Sequence, residues 1–245
     1  MPNKVLLSLL FSSLLSTVSY AAICGRTDER ELSTDAKVGR LARDGKNSGC
    51  TVTMVSDKCA ITSGTCVKSS ADFAEFNPPL SIGGVAMPSR AEDQYRVDLS
   101  FYEFDATVKI GENWGVVKFD KNSLTGLYPG QAQGFYKMIS KKLDKNAPIR
   151  VVSYGGDNRS ESNTFAQQTS KGPATRPGIF LLPTIIEFAA DTGWGSSGSP
   201  IISEETNELA GITTHEGCDT SRSNAGTYLY NNKKVEKALV ACLKE

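Results

Sequence analysis

Residues 191–200 read Asp-Thr-Gly-Trp-Gly-Ser-Ser-Gly-Ser-Pro, and no other run constrains this chain as much. Taken alone it is a glycine-serine turn that leads into the strand-like run Ser199–Ser203. A serine hydroxyl there is a weak nucleophile until a base takes its proton. The chain has one histidine, His215, and it follows the serines in sequence. Whether this turn carries chemistry therefore depends on what stands beside its serines.

The chain has 245 residues, 39% apolar and 22% charged, enough for a sizeable core. Positive and negative side chains balance at 27 each. There is no basic face for nucleic acid and no acidic tail. Residues 1–21 have the pattern of a Sec-type signal peptide: Lys4, an apolar stretch from Val5 to Val18 broken by serines, then Ser19-Tyr20-Ala21. Removing them takes away Lys4 and leaves about one net negative charge. The alternatives are an uncleaved anchor helix and a lipid anchor at Cys24, which the bulky Ile23 disfavours. No later stretch is apolar enough to span a membrane. Secretion, to a periplasm or beyond, is the expectation. Six cysteines in an exported chain then read as disulfides, the alternative being free buried thiols. With no Cys-x-x-Cys and a lone histidine, no metal site is expected, and no cofactor.

Short β-branched or aromatic runs dominate: Thr51–Val55, Ala60–Thr62, Val116–Phe119, Ile149–Tyr154, Ile179–Leu182, Thr184–Phe188 and Ser199–Ser203. Glu204-Glu205-Thr206-Asn207 reads as a hairpin turn. Many short strands with frequent turns mean a sandwich or a barrel. Val235, Ala238, Leu239 and Cys242 recur at helical spacing and predict a helix over about 232–243. The polar stretch 121–147 reads as a connector, with a short helix over Met138–Leu143 as an option.

Six segments together resemble the trypsin-like serine proteases, most closely their secreted bacterial branch. Gly49-Cys50-Thr51 and Cys59-Ala60-Ile61-Thr62-Ser63-Gly64-Thr65-Cys66 resemble the strand pair that ends in Thr-Ala-Gly-His-Cys. Gly111–Phe119 resembles the segment holding the family's aspartate, and Val151–Gly155 the strand opening its second barrel. Gly211–Cys218 resembles the strand along the substrate pocket. The 191–200 run resembles the nucleophile loop. The resemblance implies an all-β fold of two packed six-stranded antiparallel β-barrels with a C-terminal α-helix. The first barrel would span about 38–125 and the second about 145–230, within a domain of 22–245. It also implies a Cys50–Cys66 disulfide, stabilising by about 3 kcal/mol in a chain-entropy account. The other four cysteines allow three pairings; Cys59–Cys242 and Cys24–Cys218 are favoured.

Carried over residue by residue, the resemblance puts Ser197 at the nucleophile position, with Gly195 and Ser197 supplying the N–H groups of an oxyanion hole. Thr65 stands where the family has its histidine, and Asn113 where it has its aspartate; Asp105 offers a rival register for the latter. A threonine hydroxyl cannot act as a base near neutral pH. Loss of the histidine alone costs roughly a million-fold in turnover, or about 8 kcal/mol. His215 sits on the strand along the pocket, where it would face bound peptide or solvent sooner than Ser197. Thr213, Thr214, His215 and Glu216 would line that pocket, and nothing points to a serine–lysine pair. Ser196 replaces an acid that animal trypsins pair with a newly cut N-terminus. Asp191 is either a pocket acid selecting lysine or arginine or, the favoured choice, a hydrogen-bonded structural acid. The expectation is a pseudoprotease that binds an extended peptide or a protein ligand, such as a protease or an inhibitor. The alternatives are an active serine endopeptidase with a non-standard base, and a purely structural domain.

Overall fold

The computed structural model describes residues 22–43, 46–69, 71–157, 159–218 and 223–244. The expected signal peptide, residues 1–21, lies outside them. The first half of the chain forms β1 (Glu31–Leu32), β2 (Val38–Arg43), β3 (Lys46–Met54), β4 (Cys59–Thr62), α1 (Gly64–Lys68), β5 (Phe73–Glu75), β6 (Gln94–Asp105) and β7 (Trp114–Phe119). The second half forms α2 (Pro129–Gln133), β8 (Pro148–Ser153), β9 (Gln168–Pro173), β10 (Arg176–Ile179), β11 (Leu182–Phe188), β12 (Pro200–Ser203), β13 (Leu209–His215), β14 (Asn224–Tyr228) and α3 (Lys233–Lys244).

Strands β2 to β7 close an antiparallel barrel in the order β2-β3-β4-β7-β6-β5. The second half is an eight-stranded antiparallel sheet ordered β1-β9-β8-β12-β13-β14-β11-β10. Its curl brings the end of β9 to the residue after β11, where the Ala189 N–H donates to the Pro173 carbonyl (3.0 Å). The expected second barrel is thus a curled sheet, joined by that contact and not by a full ladder, and widened by two short edge strands, β1 and β10. The turn at 204–207 joins β12 to β13 as expected.

Many of these strands are buried on both faces, which explains their continuous apolar runs. Ala60 and Val117 point into the first barrel, while Ile61 and Val116 point to the core shared by both halves. Val151 and Ile201 face the interior of the second sheet, while Val152 and Ile202 face the shared core. Helix α3 adds Val235, Ala238 and Cys242 to the shared core. Its disulfide Cys59–Cys242 pins it to β4. The other bridges are Cys50–Cys66 and Cys24–Cys218, so all three pairings are those favoured from sequence. Three disulfides fit an oxidising compartment, and no helix among the described residues is long and apolar enough to cross a membrane.

Two local expectations are corrected. Ile179–Leu182 is not one strand: it is the tip of the β10–β11 hairpin, where Ile179 pairs with Leu182 and Phe180-Leu181 forms the turn. Its apolar composition mimics a strand because two bulky residues occupy positions that normally carry glycine or asparagine. No helix forms over Met138–Leu143; Met138 bridges to Leu209 beside β13, and the short helix of this connector is α2, with a proline in its first turn.

Candidate functional site

The loop 189–199 connects β11 to β12 in the cleft between the two halves. Gly195 and Gly198 have φ of +95° and +83°, which only glycine adopts without strain. A Cβ on Gly198 would also lie 2.2 Å from Thr62 Oγ1, so both space and conformation demand glycine there. Ser196 is buried; its Oγ accepts from Gly193 N–H (3.0 Å) and its N–H donates to the Gly193 carbonyl (2.9 Å). The loop is stitched to both halves. Thr51 N–H of β3 donates to the Ser197 carbonyl (2.8 Å), and Gly198 N–H donates to the Thr213 carbonyl of β13 (2.8 Å). Ser197 is half-buried, and no side chain among the described residues hydrogen-bonds its Oγ. Trp194 stands exposed at the rim, edge-on to Phe165.

Thr65 and Asn113 meet within the first half of the chain. Thr65 lies in α1, which starts at its cap Ser63. The Thr65 backbone N–H donates to Asn113 Oδ1 (3.2 Å), and the Thr65 hydroxyl is 3.0 Å from Ser63 Oγ. Asn113, 3% exposed, is anchored further by Thr227 Oγ1, which donates to its carbonyl (2.6 Å). Asp105, the rival position, is occupied elsewhere. It accepts from Thr107 N–H (3.3 Å) and pairs with Lys234 of α3 (3.6 Å).

Both ring nitrogens of His215 have partners other than Ser197. Its Nε2 lies 2.9 Å from the Val108 carbonyl, which accepts only, so this nitrogen carries the proton. Nδ1 then accepts from the Thr214 hydroxyl (2.8 Å). Both ring nitrogens are thereby committed, one of them to the loop between β6 and β7. Thr213 is buried, and its Oγ1, like Thr192 Oγ1 and Ser199 Oγ nearby in the chain, has no hydrogen-bond partner. Glu216 is exposed.

Asp191 is a buried acid bonded to the main chain. It is 4% exposed, and its two carboxylate oxygens accept from the backbone N–H groups of Cys24 and Glu29 (2.7 Å each). It thus fastens an N-terminal clasp that sequence reasoning missed. Arg30, also buried, donates to the Gly156 carbonyl (2.8 Å) and pairs with Asp28 (2.7 Å). Asp157 pairs with Arg159 (3.0 Å). Burial pushes the Asp157 carboxyl up, but hydrogen bonds from Arg159 outweigh it and hold the group below the usual carboxylate range. The available sequence signal was Cys24, whose pairing with Cys218 brings 22–30 onto this end of the sheet.

No family model matches the sequence, and no curated protein matches it. Among solved structures, the chain is similar to one described as a Glu endopeptidase, with a TM-score of 0.69 and 16% identity over 90% of this chain and 100% of that one. At that identity the likeness establishes the fold alone: the trypsin-like double-barrel architecture with a C-terminal helix.

Proposed function

We propose that this chain keeps a trypsin-like cleft without its chemistry and uses it to bind an extended peptide or protein segment in a secreted or periplasmic setting. It would be a degenerate relative of the secreted bacterial serine proteases. One observation carries the proposal: the residue whose N–H meets Asn113 is Thr65, not a histidine, while both nitrogens of the sole histidine are engaged by Thr214 and Val108. Ser197 then has no proton acceptor among the described residues, and a serine without a general base is a poor nucleophile. The N–H groups of Gly195 and Ser197 would remain as oxyanion donors, which alone give about 10³–10⁴ over water, far too little for useful peptide hydrolysis.

What supports binding is the edge of β13. Strand β12 begins at Pro200, opposite Ile212, and Thr213 is tied to Ser199. Past Thr213 this edge has no neighbouring strand among the described residues. A peptide can add there as a further strand over Thr214, His215 and Glu216. Asp191 would take no part in choosing lysine or arginine, because main-chain N–H groups occupy both of its oxygens. The partner class is an extended segment, such as one from a protease or an inhibitor.

The test is retention of peptides from an unbiased library by the purified protein. Retained peptides should be recovered uncut, and Thr214→Trp, which obstructs the strand edge, should weaken retention at least about tenfold. Failure to retain any peptide, or recovery of cleaved ones, would contradict the proposal.

A further inference from the structure

The tip of the β10–β11 hairpin is built against the rules of its own turn. Phe180 and Leu181 occupy the two loop positions and are 97% and 80% exposed. Two-residue hairpin loops favour glycine, asparagine or aspartate for backbone reasons. Neither of these residues has such a reason to be there, and at that exposure little of either side chain packs on the fold. Strand β14 pairs with β11 only from Ile185 to Phe188, so the tip projects past the edge of the sheet. Ile179 and Leu182, at 42% and 41%, continue the apolar surface at its base. The shape is convex, with the hairpin pairing Ile179 to Leu182 immediately behind the turn.

The base of the tip is basic. Ile179 and Arg176 line one shallow cleft of about 710 Å³ with Lys141, Lys142 and Lys145. These three lysines are exposed and form no ion pair among the described residues. The acids there are Asp144 and Glu187, and Glu187 is paired with Arg176. A chain with no net charge therefore gathers a local positive surplus around an exposed apolar projection.

We propose that this tip is a peripheral membrane-docking site. Phe180 and Leu181 enter the boundary between headgroups and acyl chains, and Lys141, Lys142 and Lys145 meet anionic lipid headgroups. An apolar element set in a basic collar gains from both burial and charge at such a surface. A convex tip also needs no complementary pocket in a lipid partner, whereas a protein partner would have to supply one.

The experiment is co-sedimentation of the purified protein with phosphatidylcholine vesicles containing about one-third phosphatidylglycerol, compared with pure phosphatidylcholine. The protein should partition onto the anionic vesicles only, and salt at about 1 M should release it. The pair Phe180→Ser with Leu181→Ser should lower partitioning at least about tenfold, and Lys141→Glu with Lys142→Glu and Lys145→Glu should abolish it. Both variants alter exposed side chains and should melt like the wild type. Phe180→Trp should shift its emission to the blue on binding. Absence of partitioning, or partitioning unchanged in the Phe180/Leu181 variant, would overturn the proposal. So would a wild-type dimer in sedimentation velocity that this variant dissociates, which would place a second copy of the chain on the tip.

Discussion

The Thr65 backbone N–H donates to Asn113 Oδ1 across 3.2 Å, and this bond makes a junction between α1 and the start of β7 that an aspartate could make equally well. The neutral amide keeps the acceptor but brings no charge to stabilise an imidazolium. Replacing both residues puts an imidazole and a carboxylate at this junction. Thr65→His with Asn113→Asp should label at Ser197 with a fluorophosphonate at least about 10³ times faster than the wild type, given the million-fold scale of a triad histidine. Intact-mass spectrometry over time reads the rate. A silent double variant would show that the surrounding cleft has also been remodelled.

The first barrel depends on a buried ion pair. Arg40 Nη2 lies 2.5 Å from Glu75 and also donates to the Met87 carbonyl (2.8 Å), while Nη1 donates to the Phe165 carbonyl (3.0 Å). Glu75 Oε1 accepts from Ser89 N–H (3.2 Å). Arg40→Met strands a buried carboxylate and frees two carbonyls, so it should cost about 3–5 kcal/mol in urea unfolding.

Helix α3 is held by apolar contacts and by Cys59–Cys242, which closes a loop with a sequence separation of 183. Replacing both cysteines by serine should cost about 2–5 kcal/mol. The loss should appear as early exchange of α3 amides in native-state hydrogen exchange.

The N-terminal clasp should respond to acid. The Asp157 carboxyl sits below its ordinary value in the folded protein because of Arg159. Its contribution is therefore complete above the unfolded value of about 3.9 and fades as pH falls through the lower folded value. Protection against hydrogen exchange over residues 22–32, relative to the intrinsic rate at each pH, should fall as pH drops below about 3.9, and Asp157→Asn should flatten that dependence. An unchanged profile in the variant would contradict the assignment.

The fold and the centre of the cleft were legible because they rest on residues with narrow tolerances. Gly195 and Gly198 adopt conformations that few other residues accept, and the resemblance implied the Cys50–Cys66 bridge that the structure contains. Thr65 and Asn113 could be singled out because the segments around them carry the resemblance, and the structure joins the two by a hydrogen bond. The rest depended on tertiary contacts without a local pattern. Strand β6 was missed because its exposed Leu99, Tyr102 and Phe104 blur the alternation. The clasp from 22 to 32 has no periodicity at all; Asp191, Gly156 and Cys218 hold it from elsewhere in the chain. The hairpin tip read as a strand because Phe180 and Leu181 break turn chemistry.

The central claim is that Ser197 lacks a base, and its most direct measurement is fluorophosphonate labelling of the wild-type protein near neutral pH, read by intact mass and by mapping the modified peptide. No adduct should form on Ser197 while a control serine protease reacts to completion. A stoichiometric adduct on Ser197, lost in His215→Ala, would contradict the account by showing that the imidazole leaves Val108 and Thr214 to activate the serine.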